Sequence, residues 1–420
     1  MAPSVRVFLD AILEEVGVAR FLRLLLVVTM LSAVPVVVAS ANAPPGPYFN
    51  GFETDTAGWF NLSGATITGR PSGYSTGIGG YASGIASADG NAHARLGIDP
   101  SPGTCASGGG PQPVFTGPYT NWGGYSSIFP TGGYTTRVDV YLDVPWALAN
   151  PDRRFDWSSA INNTSGAHRR DFVFNVGTDA LGFVMSGSNN ATRCGADPAN
   201  PGRTPIHITT SGWYTFEHMF TGVPGGPLTV ILRVMPAGTN VPLGVWALSD
   251  PSDIIGGTVG GNRYGWFAQN EIDELAIDNS ERTGTLSTPG CEVRINNGGR
   301  ITTVLGDRAT FGGNARVSMS GATSGQQEFQ DHGPMQPLRF KALTVQAVIC
   351  NEDESVMSAE IYGIGSVDGE GEFEYQIKLE DQGEPGTDDK YGIFIPGVAY
   401  NSGYQQLEGG NVQISGTVTA

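Results

Sequence analysis

The chain has 420 residues, with 40 Asp plus Glu against 23 Lys plus Arg, a formal charge of −17. That balance argues against a nucleic-acid partner, because backbone phosphates need clustered cations and the sequence scatters them. Its 61 glycines follow no G-X-Y period, which excludes collagen and points to many short strands joined by tight turns.

At the N-terminus, Arg20 and Arg23 precede Leu24 to Ala41, an uncharged and mostly apolar run closed by Ala39-Ser40-Ala41. Small residues after an apolar run are what a signal peptidase accepts, so residues 1–41 read as a signal peptide cut after Ala41. The run is 18 residues long, which leaves a retained anchor as the alternative; Pro35 and the Ala-rich end favour removal. No later stretch is apolar enough to cross a bilayer as a helix, so no membrane span is expected once the signal is gone.

A first domain is expected over residues 44–282. Its strand candidates are Thr136 to Asp143, Asp171 to Val176, Leu181 to Ser186, Trp213 to Phe220, Leu228 to Met235 and Val241 to Leu248. Val138, Val140 and Leu142 alternate with Arg137, Asp139 and Tyr141, the pattern of a half-buried antiparallel strand. Pro236 to Asn240 reads as the turn of a hairpin. The Gly/Pro-rich stretches 97–134 and 187–205 read as loops, and the polar run Asp278 to Gly284 as the break that ends the domain.

A second, smaller sandwich is expected over 290–417, with strands at Glu292 to Ile295, Arg308 to Met319, Leu338 to Val348, Met357 to Val367, Glu370 to Glu380 and Tyr391 to Ile395. Asn351 to Lys390 is its acidic centre, with 13 Asp or Glu against Lys378 and Lys390. Glu370, Glu372 and Glu374 alternate with Gly371, Phe373 and Tyr375, which predicts a wet charged face and an aromatic face turned inward. No helix is expected in the mature part. Cys105, Cys194, Cys291 and Cys350 allow three pairings; a hinge near 280–290 favours Cys105 with Cys194 and Cys291 with Cys350.

Two stretches carry a family likeness. Gly51-Phe52-Glu53, Gly58-Trp59, Tyr264-Gly265-Trp266-Phe267 and Ile277-Asp278-Asn279 resemble the concanavalin A-like jelly roll of bacterial surface and carbohydrate-active proteins. Gly298-Gly299-Arg300, Ala309 to Gly312, Gln327 to His332, Asp381 to Asp389 and Gly409 to Ile414 resemble the post-COAP type β-domain at the C-terminus of exported bacterial proteins. The resemblance implies an all-β chain, a jelly-roll sandwich followed by a smaller sandwich, in a secreted or cell-surface setting. It also implies a structural calcium held by Glu53 and Asp278, which hard oxygen ligands would suit.

No catalytic set emerges. Glu271 and Asp273 are similar to the start of the Glu-x-Asp-x-x-Glu strand of jelly-roll glycosidases, but Ala276 stands where the third acid belongs, so the group that would protonate the leaving group is missing. The histidines fall in no ligand pair. Tyr119, Trp122, Tyr125, Tyr134, Trp146 and Trp157 lie in or beside the Gly/Pro-rich loops, where exposed rings would stack on sugar faces. The functional expectation is an exported, noncatalytic surface protein that binds extracellular polysaccharide or envelope material. A purely structural or self-associating protein is the alternative, a glycoside hydrolase or lyase comes third, and the sequence leaves oligomeric state open.

Overall fold

A computed structural model of the chain describes residues 47–419, except 62–64, 100–116, 190–203, 284–289, 319 and 354–355. The expected signal peptide, Cys105 and Cys194 lie outside the described residues. Among the described residues no helix is long and apolar enough to cross a membrane.

The all-β expectation holds, in three sheets of antiparallel strands. The first runs in the order Gly244–Ile254, Pro227–Pro236, Gly212–Thr221, Tyr134–Leu142, Leu275–Arg282, Ala92–Leu96, Ile67–Pro71, with Tyr48–Asn50 also beside Leu275–Arg282. The second runs Ile206–Ile208, Gly182–Asn189, His168–Asp179, Arg154–Asn162, Asn262–Ala268, Tyr119–Thr120, Trp59–Phe60. Period-2 apolar residues from both enclose one core: Val138, Val140 and Leu142 are fully buried with Phe155, Trp157, Phe174, Phe216 and Phe267. Trp157 and Phe267 lie 4.5 Å apart, ring centre to ring centre. Burial pushes His218 down to about 3, so it sits in this core neutral, bonded to the Phe172 carbonyl at 3.0 Å.

The third sheet is built from residues 290–419. Its order is Tyr400–Asn401, Lys390–Ile395, Glu370–Asp381, Val356–Val367, Leu338–Asp353, Thr323–Asp331, Arg308–Val317, Gly290–Thr302, Gly409–Thr419. It curls around its own core, where Phe311 stacks on Tyr391 at 3.8 Å and Phe340 meets Tyr375 at 4.9 Å. Two acids close the curl. Asp389 accepts the Val412 N–H at 2.7 Å and Asp381 accepts the Ile414 N–H at 2.7 Å, so carboxylates occupy edge donors that would otherwise stay open. The acidic stretch Asp381 to Asp389 is therefore a fastening. Asp389→Ala, which strands a buried N–H, is expected to cost about 2 kcal/mol, read by urea denaturation; an unchanged midpoint would refute the fastening.

The first and third sheets also pack on each other. Ile231, Val245 and Ala247 meet Ala347, Ile349 and Tyr362 in an apolar junction flanked by Met219 and Phe394. Arg137, Glu217 and Arg233 stand side by side across three strands beneath it. Fully buried Glu217 accepts from the Nε of Arg137 at 2.5 Å and of Arg233 at 2.6 Å, and Arg233 lies 3.7 Å from Glu360. Desolvation opposes the Glu360 charge, yet Arg233 and Lys378 hold its carboxyl below the usual range.

Several expectations need correction. Glu374 is buried with Gln376 rather than wet, because the even positions of Glu370–Asp381 turn from solvent towards the first sheet. A short helix, Val144–Ala149, follows Tyr134–Leu142; Asp143 caps it by accepting the Trp146 N–H at 3.1 Å. The run from Asp278 to Arg282 is the end of a strand, not a break. The two-bridge disulfide scheme is not displayed: Cys105, Cys194 and the Cys291 side chain lie outside the described residues, which show no cysteine pair at bonding distance. They hold Cys350, a half-cystine buried in the third sheet's core, and no free thiol.

Candidate functional site

The six aromatic candidates do not form one platform. Trp122, Tyr134 and Trp157 are core residues. Gly265 explains two of them, since a Cβ there would come within 2.3 Å of the Trp122 ring and 2.6 Å of the Trp157 ring. The glycine admits both rings into the core, and burial removes them from any ligand. Of the others, Tyr119 stacks on Phe60 at 5.2 Å, Tyr125 is 40% exposed beneath the Arg263 guanidinium, and half-buried Trp146 turns its edge to Tyr81.

Glu53 and Asp278 are drawn to one turn but not around a cation. Glu53 accepts the Asn91 N–H at 2.9 Å and the Ala92 N–H at 3.2 Å. Asp278 accepts the Ala88 N–H at 3.0 Å and its neighbour Asn279's N–H at 2.9 Å. Donors aimed at carboxylate oxygens do what a cation would do, and their positive ends oppose one. No group of three or more His, Cys, Asp or Glu suited to a metal occurs among the described residues. In this geometry the pair anchors a turn. Burial pushes the Asp278 carboxyl up to about 7, against the pull of these N–H groups, with Asp139 beside it adding to the rise.

Glu271 and Asp273 lie in the turn before Leu275–Arg282 rather than on a strand. The Glu271 N–H is tied to the Arg154 carbonyl at 2.9 Å, and burial raises its carboxyl. The outer face of the second sheet carries Asp156, Ser158, Asp171, Asn175, Ser186 and Ser188, a set periodicity did not single out. All are buried, and the cavity beside Asp156 and Asp171 is only about 10 Å³.

The outer face of the third sheet is open. A trough of about 510 Å³ runs over Thr310, Gly312, Asn314, Gln326, Glu328 and Arg339. Strand register builds it in rows. Gln413, Asn296, Asn314 and Gln326 lie side by side across four strands, a row of exposed amides. The next row along places Gly298 beside Gly312, with Glu328 and Lys341 beyond. Arg300, Thr310, Gln330 and Arg339 follow.

The glycines of the floor differ from their neighbours. A Cβ at Gly299 or Gly313 would collide with backbone oxygens at 2.5 Å and 2.2 Å, so the sheet itself requires those two. At Gly298 and Gly312 the nearest atom would be 3.9 Å away. Neither crowding nor backbone conformation asks for glycine there, and its absent side chains keep the floor low enough for another molecule to approach. Individual residues gave no such signal, because the rows exist only once the register is known. Compared with known proteins, the chain matches no protein-family model and no curated protein.

Proposed function

We propose that this is an exported, noncatalytic protein that binds extracellular polysaccharide or envelope material on the outer face of its third sheet. The trough floored by Gly298 and Gly312 carries the reading, since it is open, polar and unneeded by the fold. Amide and hydroxyl groups along it match a polymer rich in hydroxyls, and one trough carboxylate, Glu328, falls short of the paired acids that glycoside cleavage needs. The first two sheets, face to face over one core, are compatible with the concanavalin A-like jelly roll that the sequence resembles, and the curled third sheet with the post-COAP type domain.

Gly312→Leu tests the site with little risk to the fold, since a Cβ meets nothing nearer than 3.9 Å. Retention on a panel of immobilised polysaccharides should fall about tenfold, which is about 1.4 kcal/mol, with an unchanged melting temperature. Unaltered retention would place the ligand elsewhere. Self-association, the structural alternative, would show instead as a concentration-dependent mass that the same substitution abolishes.

A further inference from the structure

The outer face of the third sheet gathers cations that the sequence had scattered. Arg294, Arg300, Arg308, Arg316, Arg339 and Lys341 all point outward from neighbouring strands, against Glu292 and Glu328 on the same face, the Glu408 carboxylate bonded to Thr302 and the Asp368 carboxylate bonded to the Arg339 N–H. Elsewhere the chain is strongly acidic, with a total charge of −17. Lys341 is the one cation of this group with a carboxylate partner among the described residues, Glu328 at 3.7 Å, where both side chains are more than half exposed. Arg300 reaches only a backbone oxygen, that of Glu408 at 3.3 Å. Arg294, Arg308, Arg316 and Arg339 make no ion pair among the described residues.

Their placement is ordered. Arg294 and Arg316 share the row on one side of the amide row, while Arg300 and Arg339 share a row beyond the glycine floor on the other. Six residues separate Arg294 from Arg300 on one strand, which puts the two cationic rows about 20 Å apart. Amides and glycines fill the space between.

We infer that the ligand of this face is an acidic polysaccharide, whose carboxylate or sulfate groups meet the two arginine rows while its hydroxyls meet the amides between them. The inference rests on the binding reading above and names the ligand class. Guanidinium groups pair with carboxylate or sulfate through two parallel N–H bonds, geometry that a neutral sugar does not use. The total charge of −17 works against a polyanion over the chain as a whole and so favours this face. Single-stranded nucleic acid is another common polyanion, and its binding sites combine cations with several rings that stack on its bases. Phe311, Phe329 and Phe340 border the trough with their side chains in the core, and the exposed ring on the face among the described residues is the His332 imidazole, held by Thr310 at 2.8 Å.

The test uses the full mature chain, with a polyuronate, the same polymer after carboxyl reduction, and single-stranded DNA as probes. The polyuronate should bind at least about tenfold more tightly than its reduced form, and weaken by at least about tenfold between roughly 50 and 300 mM salt. Arg300→Gln with Arg339→Gln should lose most of that binding. Arg263→Gln, in the second sheet, should keep it, and circular dichroism should show both variants folded. Equal binding of the charged and reduced polymers would overturn the acidic ligand and leave the binding reading standing. Retention of neither polymer would overturn both, and tighter binding of DNA than of polyuronate would replace the sugar with nucleic acid.

Discussion

Arg233→Ala should destabilise the protein by about 3 to 5 kcal/mol, the usual result of removing one member of a buried ion group. Arg233 joins two sheets: it donates to Glu217 at 2.6 Å within the first and lies 3.7 Å from Glu360 of the third. Its loss leaves Glu217, with no exposed surface, dependent on Arg137 alone. It also leaves Glu360 with Lys378 at 3.4 Å as its remaining cation. Replacing Arg233 by Met together with Glu217 by Leu should cost less than Arg233→Ala, because the fully buried Glu217 charge goes with its partner, while Glu360 keeps Lys378 and Arg137 keeps Glu281. Urea denaturation of the single and double variants reads both figures. If Arg233→Ala shifts the midpoint no more than an ordinary surface substitution, the buried network is not what holds the junction.

The second large effect is on pH dependence. The Asp278 carboxyl stands at about 7 in the folded chain, against about 3.9 when unfolded. Between those values the native state holds a proton that the unfolded state has released, so stability falls as pH rises from about 4 to about 7. This group's contribution is complete below about pH 4 and lost above about pH 7, and amounts to about 2 to 4 kcal/mol. His218 runs the other way, since its depressed value makes stability fall with acid below about pH 6.5. Comparing Asp278→Asn with the native chain cancels His218 and the general charge. The difference in stability between the two should vary with pH across 4 to 7 by that amount. A constant difference would show that Asp278 is ionised throughout. A calcium-dependent rise in melting temperature that Asp278→Asn abolishes would instead make it a metal ligand.

The strands were legible wherever apolar residues alternate, as in Tyr134–Leu142 and Pro227–Pro236. Leu275–Arg282 was not, because its second half is Asp278-Asn279-Ser280-Glu281-Arg282 and looks like a linker. Those polar groups find partners far along the chain. Trp59 donates to Ser280 at 3.1 Å, the Asn279 amide donates to Asp139 at 2.9 Å, and Arg137 lies 3.7 Å from Glu281. A strand whose polar residues are satisfied at such distances has no local signature.

Three of the ring candidates, Trp122, Tyr134 and Trp157, are buried, two of them for a related reason. Exposure of Trp122 or Trp157 depends on a glycine more than a hundred residues away, Gly265, that makes room for both. The cationic face was invisible because its members come two to a strand on three strands between Arg294 and Lys341, and only register sets them side by side. The acidic total charge pointed correctly away from a generally basic surface and concealed a local one.

Hydrogen–deuterium exchange of the full chain, with and without a saturating polyuronate, tests the placement of the binding face most directly. Slowed exchange in Gly290–Thr302, Arg308–Val317 and Thr323–Asp331 is the predicted result, with no change in the second sheet. Protection confined to Arg154–Asn162 and His168–Asp179 would contradict it and move the ligand to the buried polar face of the second sheet.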